Sequence, residues 1–299
     1  MRIFTEFAAD ADGSDPQRAE RVRANFSEVG TTLIIASAKG GVGKSVVAVN
    51  LGAALARRGK KVAIIDADLN SPSVIGMLGM KQPRGLPMVE GIEPASGPHG
   101  LRVISSDLLP SAEPPPISFV ELESEPAPAL PAKPASMKES DALFQMLTQA
   151  RLGALDFVIV DLAPGIEDLH AIGRMLKPSG IVMVSHSSAQ SVRATQQAVR
   201  VARRIDAAVL GLIENMAGFN CDGCRSVRPL MPEGSLAGAA SDLELPVIGR
   251  LPFDPRFAEA SDRGKLFIQD YADTPLAKAL IEMATTIERL ATESLTAAK

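Results

Sequence analysis

Residues 37–45 read SAKGGVGKS, a stretch suited to holding phosphate. Gly40, Gly41 and Gly43 allow the backbone to turn its N–H groups inward around phosphate oxygens. The run fits G-x-x-x-x-G-K-[ST] except that Ala38 replaces the first glycine. Gly40, Gly41, Val42, Gly43, Lys44, Ser45 and Val46 form the expected binding stretch. Lys44 is placed for the β- and γ-phosphates, and Ser45 for magnesium. Three carboxylates close apolar runs elsewhere: Asp66 and Asp68 in IIDADLNSPS, and Asp161 in FVIVD. Asp161 suits the hydration shell of magnesium, and Asp66 or Asp68 the orientation of an attacking water. Lys39 is a second cation for which an ordinary phosphate loop has no use.

The two cysteines, Cys221 and Cys224, both lie in NCDGCR. A C-x-x-C puts two sulfurs on one turn, close enough to share a metal centre but too few to complete a tetrahedral site. His99, His170 and His186, the only histidines, lie in other segments. Four thiolates therefore require two chains about a two-fold axis. An iron–sulfur cube and a bridging zinc make the same demand. A redox dithiol and a pair of unliganded thiols remain as alternatives.

The elements that must position these groups are visible in the hydrophobic pattern. TTLIIAS (31–37) and KVAIIDAD (61–68) read as strands buried on both faces, joined through the glycine loop and the helical run SVVAVNLGAALARRG. Further strands are expected at 101–106, 155–162, 180–185, 207–215 and 246–252, with helices at about 137–151, 189–204, 235–243 and 274–296. This alternation predicts an α/β fold: a doubly wound, mainly parallel sheet of about seven to eight strands flanked by helices. Residues 1–30 are expected to be a mobile arm with a short helix near PQRAERVRANF, and 31–299 one domain. Eight of the 22 prolines fall between Pro110 and Pro134, predicting an extended insertion at about 108–136. The cysteine segment spans 219–226.

Bulk properties exclude several classes. The formal charge is -4, with one tyrosine and no tryptophan, so neither a nucleic acid nor an anionic membrane is expected as a partner. No run approaches the roughly 18 apolar residues of a membrane span, and the N-terminus lacks a signal-peptide core. A cytoplasmic location is expected.

In this order KGGVGKS, DADLNSPS, DFVIVDLAPG and VLGLIENMAGFNCDGC resemble the Mrp (ApbC-like) family of deviant-Walker P-loop ATPases, which deliver iron–sulfur clusters to apoproteins. The similarity covers roughly residues 30–270. It implies ATP and Mg2+ as ligands, slow ATP hydrolysis, and a homodimer bridged by a [4Fe-4S] cluster on Cys221 and Cys224. Apo iron–sulfur clients and an assembly scaffold are the implied partners. In the wider class, which includes the MinD and ParA proteins, the residue matching Lys39 reaches the partner subunit's phosphates. Such a cation neutralises transition-state charge only when two subunits close. By the same resemblance Asp68 positions water, Asp66 is its companion, Gly165 offers its N–H to the γ-phosphate, Asn215 contacts adenine, and Pro252 to Asp254 border the base.

The chain departs from the family in reading APGIED where P-P-G-T-G-D is usual, and SHSSAQ where relatives have T-P-Q after the next strand. Two competing functions follow from the same loop: a ParA- or MinD-like positioning ATPase, and a nucleotide-gated regulator without a cluster or with a bridging zinc. The first would need a cationic surface or tail. The C-terminal stripe of Leu276, Leu280, Met283, Ile287 and Leu290, with balanced charges beside it, suits packing on its own domain instead.

Overall fold

The computed structural model describes residues 16–80, 91–106, 139–220, 227–230 and 235–297. The proline-rich insertion and the cysteine pair lie outside these residues. Strand β1 (Val29–Ala36) runs into the glycine loop and helix α2 (Lys44–Arg57), which returns the chain to β2 (Val62–Ala67). Arg57 and Arg58 end that helix, and Gly59, at φ 82°, turns the chain out of it. After the short α3 (Val74–Met77) come β3 (Ala95–Ser96), β4 (Arg102–Ser105), α4 (Glu139–Gln149) and β5 (Leu155–Leu162). Helix α5 (Glu167–Leu176), β6 (Gly180–Ser185), α6 (Ala189–Arg204) and β7 (Val209–Asn220) follow. The remainder is β8 (Val227–Arg228), α7 (Ser235–Asp242), β9 (Val247–Phe253), α8 (Arg256–Asp262), α9 (Phe267–Asp270) and α10 (Pro275–Ala297).

Among the described residues nine strands form one sheet in the order β3-β4-β2-β5-β1-β6-β7-β8, with β9 also paired to β7. Seven are parallel; β3 and β8 are two-residue antiparallel additions, too short to leave a period in the sequence. Strand β1 lies between β5 and β6, so chain order departs in opposite directions on its two sides. The crevice outside its C-terminal end is where such sheets take ligands, and there the glycine loop begins.

Alternation along the strands sorts side chains into two cores. Leu33, Ile35, Ile64 and Ile159 face a layer built with α2, α9 and α10. Ile34, Ala36, Ile65, Val158 and Val160 face the layer of α1 (Pro16–Asn25), α4, α5, α6 and α7. Helix α10 buries Leu276, Leu280, Met283 and Ile287 to 4% exposure or less, so most of its apolar stripe is used within the chain.

The expectation of a mobile arm over 1–30 needs correction for its second half. Helix α1 buries Ala19 and Val22, and Phe26 follows it into the same core. Arg23 donates to the carbonyls of Met175 and Arg174 at the end of α5, at 3.1 and 3.0 Å. Asn25 donates to Leu147 and Ala150 at the end of α4. Arg18 lies 4.8 Å from the centre of the Phe144 ring. Its polar composition hid a docked helix because two of its polar side chains serve as caps for other helices. Phe26→Ala should lower stability by about 3 kcal/mol in denaturant unfolding, through the buried volume it removes; a free arm would give no change.

Candidate nucleotide site

The loop leaves β1 at Ser37, whose hydroxyl donates to the Lys39 carbonyl at 2.9 Å. Gly41 and Gly43 take φ of 74° and 85°, a left-handed conformation that glycine adopts without penalty. Gly43 is the N-cap of α2, and no side chain caps it, leaving the first N–H groups directed at the loop's concavity. A cavity of about 380 Å³ lies over the loop, lined among others by Lys39, Lys44, Ser45, Asp68, Ser71 and Pro164. A second, of about 570 Å³, shares Asp68, Ser71 and Pro164 and extends along Gly165 to Asp168.

Beneath the loop the Lys44 amine meets Asp161 Oδ1 at 2.7 Å, with side-chain exposures of 6% and 0%. Burial pushes the Asp161 carboxyl up, against the opposing pull of Lys44 and the Ser45 hydroxyl. Its other oxygen, Oδ2, is buried with no hydrogen-bond partner among the described residues. An oxygen-seeking cation fits that unpartnered carboxylate oxygen beside the Ser45 hydroxyl.

Asp66 and Asp161 are register partners on β2 and β5, yet they differ in use. Asp66 accepts three backbone N–H groups, from Ser73 at 2.8 Å, Val74 at 3.1 Å and Asp68 at 3.3 Å. It therefore shapes the loop that carries Asp68. Asp68 is half-buried in both cavities and takes the Ser71 N–H at 3.1 Å. Burial raises Asp66 from 3.8 to about 6, against the N–H groups that favour its charge.

On the far side Asn215 donates to the Val42 carbonyl at 2.8 Å. Pro252 and Asp254 stand at the end of β9, and Arg256 holds Asp254 with two side-chain bonds that keep its carboxyl below the usual range. Phe253 is 38% exposed, its ring 6.5 Å from that of Phe219.

A family model described as "ParA: NUBPL iron-transfer P-loop NTPase" matches residues 28–288. The chain belongs to this family. An "Iron-sulfur cluster carrier protein" of Saccharolobus solfataricus is 31% identical to this P-loop NTPase over 90% of its chain and 87% of the relative's. A nucleotide-binding protein of Archaeoglobus fulgidus, solved in complex with ADP, is 28% identical with a TM-score of 0.66, covering 87% of this chain and 95% of that one. The cell-division ATPase MinD of Pyrococcus furiosus shares the fold at 22% identity and a TM-score of 0.61, over 87% and 99% of the two chains.

In this P-loop NTPase the fold brings Lys44, Ser45, Asp66, Asp68, Asp161, Gly165 and Asn215 to one end of the sheet. Two positions differ from the arrangement the resemblance implies. The Gly165 N–H, expected to face a γ-phosphate, donates to the Ser37 carbonyl at 2.9 Å. The Lys39 amine bonds Gln190 Oε1 at 3.0 Å, at the start of α6. Ser37, Ser71, Pro164 and Gln190 were not singled out in the sequence. All four sit inside the stretches SAKGGVGKS, DADLNSPS, DFVIVDLAPG and SHSSAQ, but no local pattern marks what they do in the fold. Among the described residues no group of three His, Cys, Asp or Glu could hold a metal ion.

Asp66 gives a pH signature. Its folded carboxyl binds a proton more tightly than the unfolded one, so its contribution favours folding below about pH 4 and is lost as pH rises through about 6. The difference from 3.8 corresponds to about 3 kcal/mol. Asp66→Asn should therefore gain stability relative to the natural protein between about pH 4 and 6 and level off above, in unfolding curves measured across that range.

Proposed function

We propose that this P-loop NTPase is an ATP-dependent iron–sulfur cluster carrier acting as a homodimer. The observation that carries the reading is strand β7: it sets Asn215 against the phosphate loop and continues to Asn220, the residue before Cys221. One strand thus joins the nucleotide site to the chain's only cysteines. The carrier name of the Saccharolobus relative supports the same reading.

ATP binds with its phosphates in the N–H cradle of Gly40 to Ser45. Lys44 turns from Asp161 toward the β- and γ-phosphates, and Asp68 orients the attacking water. Ser45 and Asp161 would hold magnesium, which would neutralise phosphate charge. Gly165 exchanges the Ser37 carbonyl for the γ-phosphate, and Lys39 exchanges Gln190 for the partner subunit's phosphates. Hydrolysis then depends on subunit closure, and nucleotide state, by altering the dimer, sets retention of the cluster that Cys221 and Cys224 of two chains hold as cargo for client apoproteins. Helix α10 does not favour the positioning-ATPase reading, since it spends most of its apolar stripe on its own core.

Protein isolated without oxygen and reconstituted with iron and sulfide should carry about four iron per dimer, and a Cys221→Ala, Cys224→Ala double variant almost none. Equal iron in both would refute the carrier role, and zinc in place of iron and sulfide would establish the bridging-zinc alternative. Lys44→Ala and Lys39→Ala should each slow phosphate release by about 10²- to 10³-fold. Equal, negligible release from the natural protein and both variants would favour a nucleotide-gated regulator.

A further inference from the structure

We propose that Asn215 is a positioning residue for the phosphate loop itself, fixing its backbone through the Val42 carbonyl independently of any contact with a base. A loop that turns successive N–H groups toward an anion must turn carbonyls the other way. A carbonyl so displaced from solvent needs a donor, because an unpaired buried one costs the loop much of what phosphate binding returns. Val42 is 2% exposed, and its carbonyl has that donor in the Asn215 amide at 2.8 Å.

The neighbouring geometry shows how close this support stands. Gly43, at φ 85°, has no room for a side chain: an added Cβ would overlap the Asn215 amide nitrogen. Glycine is thus favoured there by its backbone conformation, and any side chain would displace the amide from its place beside the loop.

The strand holds Asn215 firmly from behind. Glu214, the adjacent residue and therefore directed to the other face of the sheet, accepts from Ser187 and from Arg250 Nε, the latter at 2.8 Å. Asn215 itself pairs in register with Leu251 of β9. Immediately afterwards Met216 takes a left-handed φ of 54°, and the pairing with β9 shifts before it resumes at Phe219. The strand's pairing with β9 shifts between Leu212 and Ile213, runs evenly from Ile213 to Asn215, and shifts again just beyond the residue that holds the loop.

A base contact and a loop support predict different losses. The full chain and its Asn215→Ala and Asn215→Asp variants are titrated calorimetrically with Mg-ATP, Mg-GTP and Mg-tripolyphosphate, the last having no base. Both variants should bind all three probes about 10- to 100-fold more weakly, by a similar factor for each. Asp keeps the shape of Asn but presents no proton to Val42, so it should do no better than Ala. A loss confined to ATP, or an Asp variant that binds as the natural protein does, overturns the proposal. Asn215→Ser, with a hydroxyl too short to reach Val42, gives the same comparison if the other two variants do not fold. The proposal rests on residues 37–45 being a nucleotide-phosphate site. Failure of that reading would show separately, as no binding of Mg-ATP by the natural protein.

Discussion

Lys44 and Asp161 face each other 2.7 Å apart under the phosphate loop, both almost wholly removed from water. Two charges in such a place are costly to bring out of solvent, and either alone would be far more so. The surrounding structure is arranged around keeping them there. Strand β5, hydrogen-bonded between β1 and β2, sets the depth of Asp161. Helix α2 begins at Lys44 itself, so the backbone that carries the amine is fixed together with the loop. The pair also leaves Asp161 Oδ2 without a partner among the described residues, a residual demand for positive charge beside Ser45.

The same economy extends outward. Groups expected to serve a nucleotide are engaged with the protein instead: Lys44 with Asp161, the Gly165 N–H with Ser37, Lys39 with Gln190. Each bond satisfies a donor that would otherwise be left over, and each joins elements distant in sequence. Ligand binding at such a site exchanges internal bonds for external ones, so its free energy is a difference between two satisfied states.

Much of this organisation was legible in the sequence, because it follows from periodicity. Strands β1, β2 and β5 are near-continuous apolar runs, and α6 falls on the expected residues 189–204. The phosphate loop declares itself through glycine spacing, and the carboxylates through their positions at the ends of those runs. Long-range polar bonds leave no such trace. The amide of Asn215 reaches a carbonyl 173 residues away, and nothing local distinguishes it from an ordinary strand-end asparagine. Helix α5 was also missed, although Leu169, Ile172, Met175 and Leu176 are all buried on one side of it. Its run is short and follows directly on the glycine and proline of the preceding loop, where turn signals dominate. Strand β7 extends five residues beyond the expected end at Asn215, past a left-handed Met216 that no pattern of hydrophobicity encodes.

Helix α1 has a bearing on where the molecule divides. The span shared with the family starts at residue 28, downstream of Val22, Arg23 and Phe26. Trimmed to that span, the polypeptide would lose the clasp on the C-terminal carbonyls of α5 and uncover the apolar hollow that Phe26 occupies. The opposite end of α5 borders the larger cavity through Glu167 and Asp168. The packed unit is thus wider than the span the family model matches, and α1 grips the rear of the helix whose front borders the larger cavity.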